Sequence, residues 1–355
     1  MQEQTQIKKV GILSCAAYIP SYRILVSDIA VAHGLDPDAM KELGVIEKSF
    51  AGIEDDSLTL AHYSAAQALE NIQDSGFLAE DLEAVFVGSE THVYAVKPTS
   101  SMLATFLGCS NNYYSADLQF ACKAGTAAIQ VVYNMIKAGS IKAGLAVGTD
   151  IAKGAPADAL EYTASSGAAS FVLSADIENC IASIVDTVSF TSDMPDFWRE
   201  EGSLYPVHAG RFSGTAYEKT ITGAIKALLQ KTKMQISDFD HVVLHMPNGK
   251  LPKVTAAKLG ITEKQLEAGF IVPYIGNTYA ACSPIGLTAT LEKAIPNQNI
   301  LVCSYGSGSG SDAFYIKTTD KIKNYQSKNP LDTQIKSKIY KKYDEYKLNE
   351  IQKYA

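Results

Sequence analysis

The chain carries the same strand–turn–helix–strand unit twice, and that duplication constrains its fold more than any other feature. In the first half, DLEAVFVGSE is followed by FACKAGTAAIQVVYNMIKAGSIKAGLAVGTD. In the second half, DFDHVVLHMPNGK is followed by GNTYAACSPIGLTATLEKAIPNQNILVCSYG. Each copy reads as an acidic turn, a strand, a polar residue at its end, a small-residue turn, a helix and a second strand. The spacing agrees as well: Glu90 precedes Cys122 by 32 residues, and His245 precedes Asn277 by the same 32. The following strands keep step, with Leu145 lying 23 residues past Cys122 and Leu301 lying 24 past Asn277. Two similar βα units packed about a pseudo-twofold bring equivalent strand ends together, and open α/β sheets bind ligands at those carboxyl ends. Glu90, Cys122, His245 and Asn277 are therefore expected to converge on one pocket.

Apolar runs of strand length alternate with helical patterns along the rest of the chain. Strands are expected at Lys9–Ala16, Ala84–Val87, Gly144–Val147, Ala168–Leu173, Ile181–Val188, His241–Leu244, Ile300–Cys303 and Ala313–Lys317. Helices are expected at Leu58–Gln73, Ala124–Lys137, Ile221–Lys231, Pro284–Ala294 and Asp332–Leu348. This alternation predicts an α/β fold with buried sheets. The expected division is an N-terminal half over 1–175, a C-terminal half over 176–320 and a helical tail over 321–355.

Several function classes drop out on composition. With 355 residues, 46% apolar and 19% charged, the chain has the makings of a large folded core. Its formal charge of −7 argues against a nucleic-acid binder. No apolar run has the roughly 18 residues that a membrane helix requires. The stretch Val10–Ile19 behind Lys8 and Lys9 reads as a first core strand. A signal peptide would want a cleavable small-residue end, and Pro20, Tyr22 and Arg23 follow instead. The six cysteines (15, 109, 122, 180, 282 and 303) are scattered with no CxxC pair, which fits reduced thiols in a cytoplasmic protein better than disulfides or a zinc site.

Cys122 is the most suggestive single residue. An apolar strand runs into it, and small residues then open a helix. A thiol at a helix N-terminus feels the positive end of the macrodipole, and Lys123 stands beside it, so a lowered thiol pKa is expected. Gly125 and Ala127 leave space for a substrate or a second backbone. The plain alternative is an inert buried cysteine. Taken singly, Glu90 is a loop carboxylate, His245 a core histidine and Asn277 a turn residue. Their matched positions in the repeat make them a base, an imidazole and an amide grouped around a nucleophile.

Two further segments need a reading. SYGSGSGSDAF (304–314) lacks the GK[ST] of a phosphate loop, and a strand follows it, so a turn presenting backbone N–H groups to an oxyanion is expected. From Asp320 onward the chain holds nine Lys against five acids. Ile335, Ile339, Tyr343 and Tyr346 keep a helical spacing there. That predicts an amphipathic helix packed on the body, the alternative being a docking surface for an acidic partner.

The strings VGSETHVYAVKPT, FACKAGTAAIQ, GAPADALEYTASSGAA, DMPDFWREEG, GRFSG, HMPNGK, VPYIGNTYAACSPIGL and SYGSGSGSDAF together resemble the archaeal-type hydroxymethylglutaryl-CoA synthases of the thiolase superfamily. The likeness runs from about residue 8 to the C-terminal helix. It implies a thiolase-like five-layered αβαβα sandwich built from two duplicated halves, and a homodimer. It implies acetyl-CoA and acetoacetyl-CoA as substrates, with no further cofactor and no metal.

By residue, the resemblance makes Cys122 the acetyl acceptor, Glu90 the base that removes a methyl proton, and His245 with Asn277 the groups at the acceptor carbonyl. It places Asp38, Ala39, Thr163, Ser213, Asn277 and Ser307 around the acyl group and pantetheine. Arg211, Lys250 and Lys253 would meet CoA phosphates, and Asp150 and Asp196 would support the site. The chain departs from the family pattern at Val254, Val207 and Ala209, where a basic residue, an Arg and a Gly are usual. Two other readings stay open: a ketoacyl synthase III-like or specialised acyltransferase with a different acceptor, and a non-catalytic subunit of an acyltransferase complex. In the archaeal family the synthase can assemble with a thiolase and a small zinc-containing OB-fold protein.

Overall fold

A computed structural model describes residues 8–352 apart from Ser309, with the side chains of Arg211 and residues 351–352 outside the described set. Nine strands form one mixed sheet. They are β1 (Gly11–Tyr18), β2 (Ala84–Gly88), β3 (Tyr114–Leu118), β4 (Ala143–Ile151), β5 (Ser166–Ser174), β6 (Ala182–Thr191), β7 (His241–Leu244), β8 (Asn299–Cys303) and β9 (Gly310–Thr318). Their spatial order is β7-β8-β9-β6-β1-β5-β4-β2-β3.

That order contains the duplication. Reading outward from the centre, β1-β5-β4-β2 on one side matches β6-β9-β8-β7 on the other, and β3 is extra at one edge. β2 runs parallel to β4, as β7 does to β8, and the remaining pairs within the matched sets are antiparallel. The two halves meet where β1 pairs with β6 over Gly11↔Ser183 and Ile12↔Ala182. The expected pair of sheets is thus hydrogen-bonded along a short seam.

Side chains alternate along each strand with period two, and this sorts the core into three. Val85, Val87, Leu145, Val147 and Val172 face outward onto helix α1 (Ser57–Glu70), where they pack with Leu58, Ala61, Ala65 and Ala68. Asp56 caps α1, its side chain accepting from Thr59 N at 2.7 Å. Val242, Leu244, Leu301, Cys303 and Ala313 face outward onto α3 (Arg211–Thr232), which presents Ile221, Ala224, Ile225 and Leu228 at helical spacing. The opposite strand faces, with Phe86, Phe171, Val243, Val302, Phe314 and Ile316, enclose α2 (Ala124–Lys137) and α4 (Cys282–Leu291). Every residue of α4 is buried, as a helix walled by sheet on both sides must be. The result is the αβαβα order of layers.

Three expectations need correction. Edge strand β3 escapes an apolar-run search because YSADL is half exposed and polar. Helix α3 begins ten residues before the expected Ile221, because its first turns cross the surface. The single helix expected over Asp332–Leu348 does not form. Leu331–Lys336 is a short helix, Ile339–Tyr340 is a strand paired with Tyr22–Arg23, and α5 (Tyr343–Gln352) completes the tail. Buried Glu47 draws the middle piece out of helix by holding Lys338 Nζ at 2.8 Å and Tyr340 OH at 2.5 Å. Among the described residues no helix is long and apolar enough to cross a membrane, and all six cysteines are free.

Candidate active site

The pocket forms where the carboxyl ends of the duplicated units meet. A cavity of about 410 Å³ is lined by Cys122, Thr163, Ser213, His245, Lys250, Asn277 and Ser307, together with Leu160, Tyr279 and Tyr305. Three of the four repeat-matched residues therefore share one cavity. Glu90 lines an adjoining cavity of about 500 Å³, and Tyr279 lies in the wall of both. The Glu90 carboxyl nonetheless faces the Cys122 thiol closely enough that each shifts the other's pKa.

The turn that delivers Cys122 is sharp. Ala121 takes a φ of +44°, and α2 starts two residues after the cysteine. Gly125 makes room for backbone: a Cβ there would come within 2.3 Å of Ala280 O. The expectation of a lowered thiol pKa fails. The Cys122 pKa is raised well above its ordinary value, first by burial and then by the facing carboxyls of Glu90 and Asp150. A helix terminus contributes only about 0.3–1 kcal/mol at ordinary sites. Lys123 does not help, because its ammonium turns away to Asp312 at 3.1 Å.

Glu90 stands just past β2. Burial and the charge of Asp150 push its pKa up to about 8, while the Cys122 thiol and the Arg199 charge pull the other way. Asp150 is fully buried at the end of β4. Its Oδ1 accepts from Ser89 Oγ and Glu90 N at 2.8 Å and from Thr91 N at 3.0 Å, and its Oδ2 accepts from Ala280 N at 2.8 Å. One carboxylate thus pins the base loop to the Tyr279–Ala280 turn. Arg199, which the sequence reasoning passed over, donates to Glu90 O at 2.9 Å. Its one signal was its place in the string DMPDFWREEG.

His245 follows β7 as Glu90 follows β2. Its N–H extends the ladder to Cys303 O at 2.9 Å, and its carbonyl accepts from Tyr217 OH at 2.6 Å. Burial alone lowers the imidazole pKa to about 3, so the ring is neutral across the physiological range. Its Nδ1 has no hydrogen-bond partner among the described residues. Asn277 is fixed through its backbone, with its N donating to Thr163 O at 2.7 Å, and through Oδ1, which accepts from Tyr279 N at 3.0 Å. Tyr279 was also missed. It is buried at a φ of +51°, and its OH has no partner among the described residues.

The glycine turn is narrower as a donor group than expected. Ser304 N donates to Asp312 O at 2.9 Å, Gly306 N to Gly310 O at 2.7 Å and Gly308 N to Asp196 Oδ1 at 2.8 Å. Ser307 lines the cavity beside Cys122, and its N–H remains the candidate from that turn. Asp196 is buried and structural: it also accepts from Tyr305 OH at 2.6 Å, and Ser213 Oγ donates to its carbonyl at 2.9 Å.

The peripheral candidates divide. Lys250 is on the cavity lining, paired with exposed Glu42 at 2.9 Å. A surface pair of this kind contributes about 0–1 kcal/mol, so an incoming phosphate can displace it. Asp38 and Ala39 lie on an exposed turn and are not among the lining residues, although Leu43 shortly after them is. Lys253 is exposed, with Nζ 4.9 Å from the Phe270 ring centroid, and it also lies off the cavity. The Arg211 side chain lies outside the described residues. Among the described residues no group of three or more His, Cys, Asp or Glu is arranged to hold a metal ion.

Known proteins resemble this chain in sequence and in fold. Residues 229–318 match the C-terminal part of 3-oxoacyl-[acyl-carrier-protein] synthase III. Hydroxymethylglutaryl-CoA synthase of Archaeoglobus fulgidus is 47% identical over 339 residues, covering 95% of this chain and 97% of that protein. The synthase of Methanothermobacter thermautotrophicus is also 47% identical, with coverage of 95% and 96%. Among solved structures, an HMG-CoA synthase complexed with CoA superposes with a TM-score of 0.86 at 24% identity, covering 96% of this chain and 89% of that one. The Bacillus subtilis synthase PksG gives 0.88 at 18% identity, with coverage of 97% and 88%. At those identities the structural likeness speaks for the fold alone.

Proposed function

The chain belongs to the hydroxymethylglutaryl-CoA synthases, and on that premise we propose how its residues divide the condensation of acetyl-CoA with acetoacetyl-CoA. The observation that carries the assignment is the buried Cys122 thiol facing the Glu90 carboxyl, whose pKa burial and Asp150 raise to about 8. A thiolate is not preformed here. Glu90 takes the Cys122 proton as sulfur attacks the acetyl carbonyl, and that proton leaves with the CoA thiol. Glu90 then removes a proton from the acetyl methyl, a task for which a base near neutrality is suited. The resulting carbon nucleophile attacks C3 of acetoacetyl-CoA. The new oxyanion takes up the proton that Glu90 removed from the methyl group, which restores Glu90. Water then cleaves the Cys122 thioester, its oxygen going to the new carboxyl group and a proton to the Cys122 sulfur, to release hydroxymethylglutaryl-CoA.

His245 is neutral, so it acts as a hydrogen-bond donor at the acceptor carbonyl rather than as an imidazolium, with Asn277 beside it. The N–H groups of Cys122 and Ser307 serve the thioester oxygen. Thr163 and Ser213 border the acyl group and pantetheine, and Lys250 with Arg211 meets the CoA phosphates. The half over 1–175 supplies base and nucleophile, and the half over 176–320 supplies imidazole and amide. The product feeds isoprenoid synthesis through mevalonate. We place the enzyme in the cytoplasm as a homodimer able to join a thiolase and a small zinc-containing OB-fold protein.

Intact mass after mixing with acetyl-CoA tests the reading, with Cys122→Ala as control. One acetyl group gained by the native chain alone, and discharged as hydroxymethylglutaryl-CoA on adding acetoacetyl-CoA, is the expected result. Acetylation without that product assigns a different acceptor. No acetylation points to a non-catalytic subunit or an enzyme that needs its partners. Glu90 already weighs against a decarboxylating synthase III, whose chemistry needs no such base.

A further inference from the structure

One wall of the cavity belongs to the irregular loop over 152–165, which contributes Ala159, Leu160 and Thr163. The same loop holds Asn277 on both sides: Asn277 N donates to Thr163 O at 2.7 Å, and Ser165 N donates to Asn277 O at 2.9 Å. Ala157 sits at a φ of +64°, and Gly154 lies so close to the returning chain that a Cβ would come within 2.1 Å of Glu161 N. Such a loop has no ladder of its own and needs an outside partner.

Glu161 supplies the attachment. Its side chain is fully buried, and it accepts from Ala157 N at 2.7 Å within the loop. Its other partners come from outside: His33 Nε2 at 2.7 Å, Tyr343 OH at 2.9 Å and Lys347 Nζ at 3.8 Å. Lys48 Nζ reaches Glu161 O at 2.5 Å and Tyr346 OH at 3.0 Å, and Tyr346 in turn donates to Glu350 at 2.6 Å. Tyr343, Tyr346, Lys347 and Glu350 all lie on α5. Tyr343 and Lys347 of the last helix thus reach the buried carboxylate directly, and Tyr346 reaches the loop through Lys48.

We propose that α5 is a clasp for the catalytic wall, with Tyr343 and Glu161 as positioning residues that hold the Asn277 amide in register for condensation. This rests on the role given to Asn277 above. In that reading the amide works at the acceptor carbonyl, while Thr163 on the same loop borders the bound acyl group and pantetheine, so once acetyl-CoA is saturating the clasp bears on condensation rather than on acetyl transfer.

Tyr343→Phe removes one hydroxyl and keeps the ring. It is expected to leave the rate of Cys122 acetylation at saturating acetyl-CoA unchanged and to slow condensation about fivefold, the usual worth of one such hydrogen bond. Glu161→Gln should slow condensation further, and Tyr343→Phe should add nothing in an Asn277→Ala background. Tyr325→Phe is the control, since that tail hydroxyl binds Cys15 O on β1 instead. Equal losses in both half-reactions, an equal effect of Tyr325→Phe, or no effect at all overturns the proposal. Hydrogen exchange gives a readout independent of the reaction. Amides over 152–165 and at Asn277 should exchange faster in Tyr343→Phe, and unchanged protection there overturns the clasp even if native protein proves unable to acetylate Cys122.

Discussion

At the residue scale the site is governed by what burial does to three titratable groups. Glu90 is pushed up to about 8, so at neutral pH much of it carries a proton, and the fraction able to act as a base grows as pH rises. The rate of condensation is therefore expected to climb with pH along a limb near 8, and Glu90→Gln should abolish that limb together with most of the activity. Because Glu90 faces the buried carboxyl of Asp150, the limb belongs to that pair of carboxyls. His245, lowered to about 3, contributes no limb near its ordinary value. A full pH–rate profile checks both statements at once. Asp150→Asn removes the charge that helps raise Glu90, so the limb should move to lower pH. It also sets an amide against the Ala280 N–H, an unsatisfied buried donor that costs about 1–3 kcal/mol, readable as a lower Cm in urea.

The residue scale is also where local sequence misleads. The strand–cysteine–helix pattern identified the thiol, and its neighbours argued for a thiolate. Proximity in sequence placed Lys123 beside the sulfur, but its side chain is drawn to Asp312, 189 positions further on. The charges that do face the thiol come from Glu90, just past β2, and Asp150, on β4.

At the element scale, packing of the two central helices sets how far a change at one propagates to the site. Gly125 sits where α2 approaches both Ala280 O and Gly148 Cα, at 2.3 Å and 2.9 Å from a Cβ. Gly125→Ala must push the Tyr279–Ala280 turn away. The expected cost is about 1–3 kcal/mol by denaturant melt, with a larger proportional loss of activity because Tyr279 shares a wall with Cys122. Truncating an outer-layer contact such as Leu228→Ala on α3 should cost about 2–5 kcal/mol by cavity formation and leave the pH limb where it was. Elements with a clear apolar period were readable: α2 was expected over Ala124–Lys137 and forms there, and β7 over His241–Leu244 likewise. Elements whose conformation depends on a distant partner were not. Edge strand β3 borrows its hydrogen bonds from β2, and Ile339–Tyr340 is extended because Tyr22, Arg23 and Glu47 hold it so.

At the scale of the whole molecule, the duplicated halves close most of the sheet but leave β3 exposed at one end. Tyr114 is 59% exposed there, and Tyr94, Val96 and Phe106 are also exposed apolar residues. Native proteins cover such an edge, and the homodimer proposed above has one to use. Light scattering should return twice the chain mass of 38.2 kDa, and Tyr114→Lys with Val96→Lys should shift it toward the single-chain value. A native mass of one chain would remove the dimer from the reading.

The sequence by itself determined the repeated strand–helix–strand unit, the alternation of an α/β fold and the matched positions, of which Cys122, His245 and Asn277 line one cavity. These depend on residue period and spacing, which are local properties repeated along the chain. Only the tertiary structure decided the protonation of Cys122 and Glu90, the placing of Glu90 across Tyr279 from the main cavity, and the tail's hold on Glu161. Those depend on which distant side chains face a buried group and on how little water reaches it. No stretch of sequence contains that information, because the field at an atom is set by its neighbours in space.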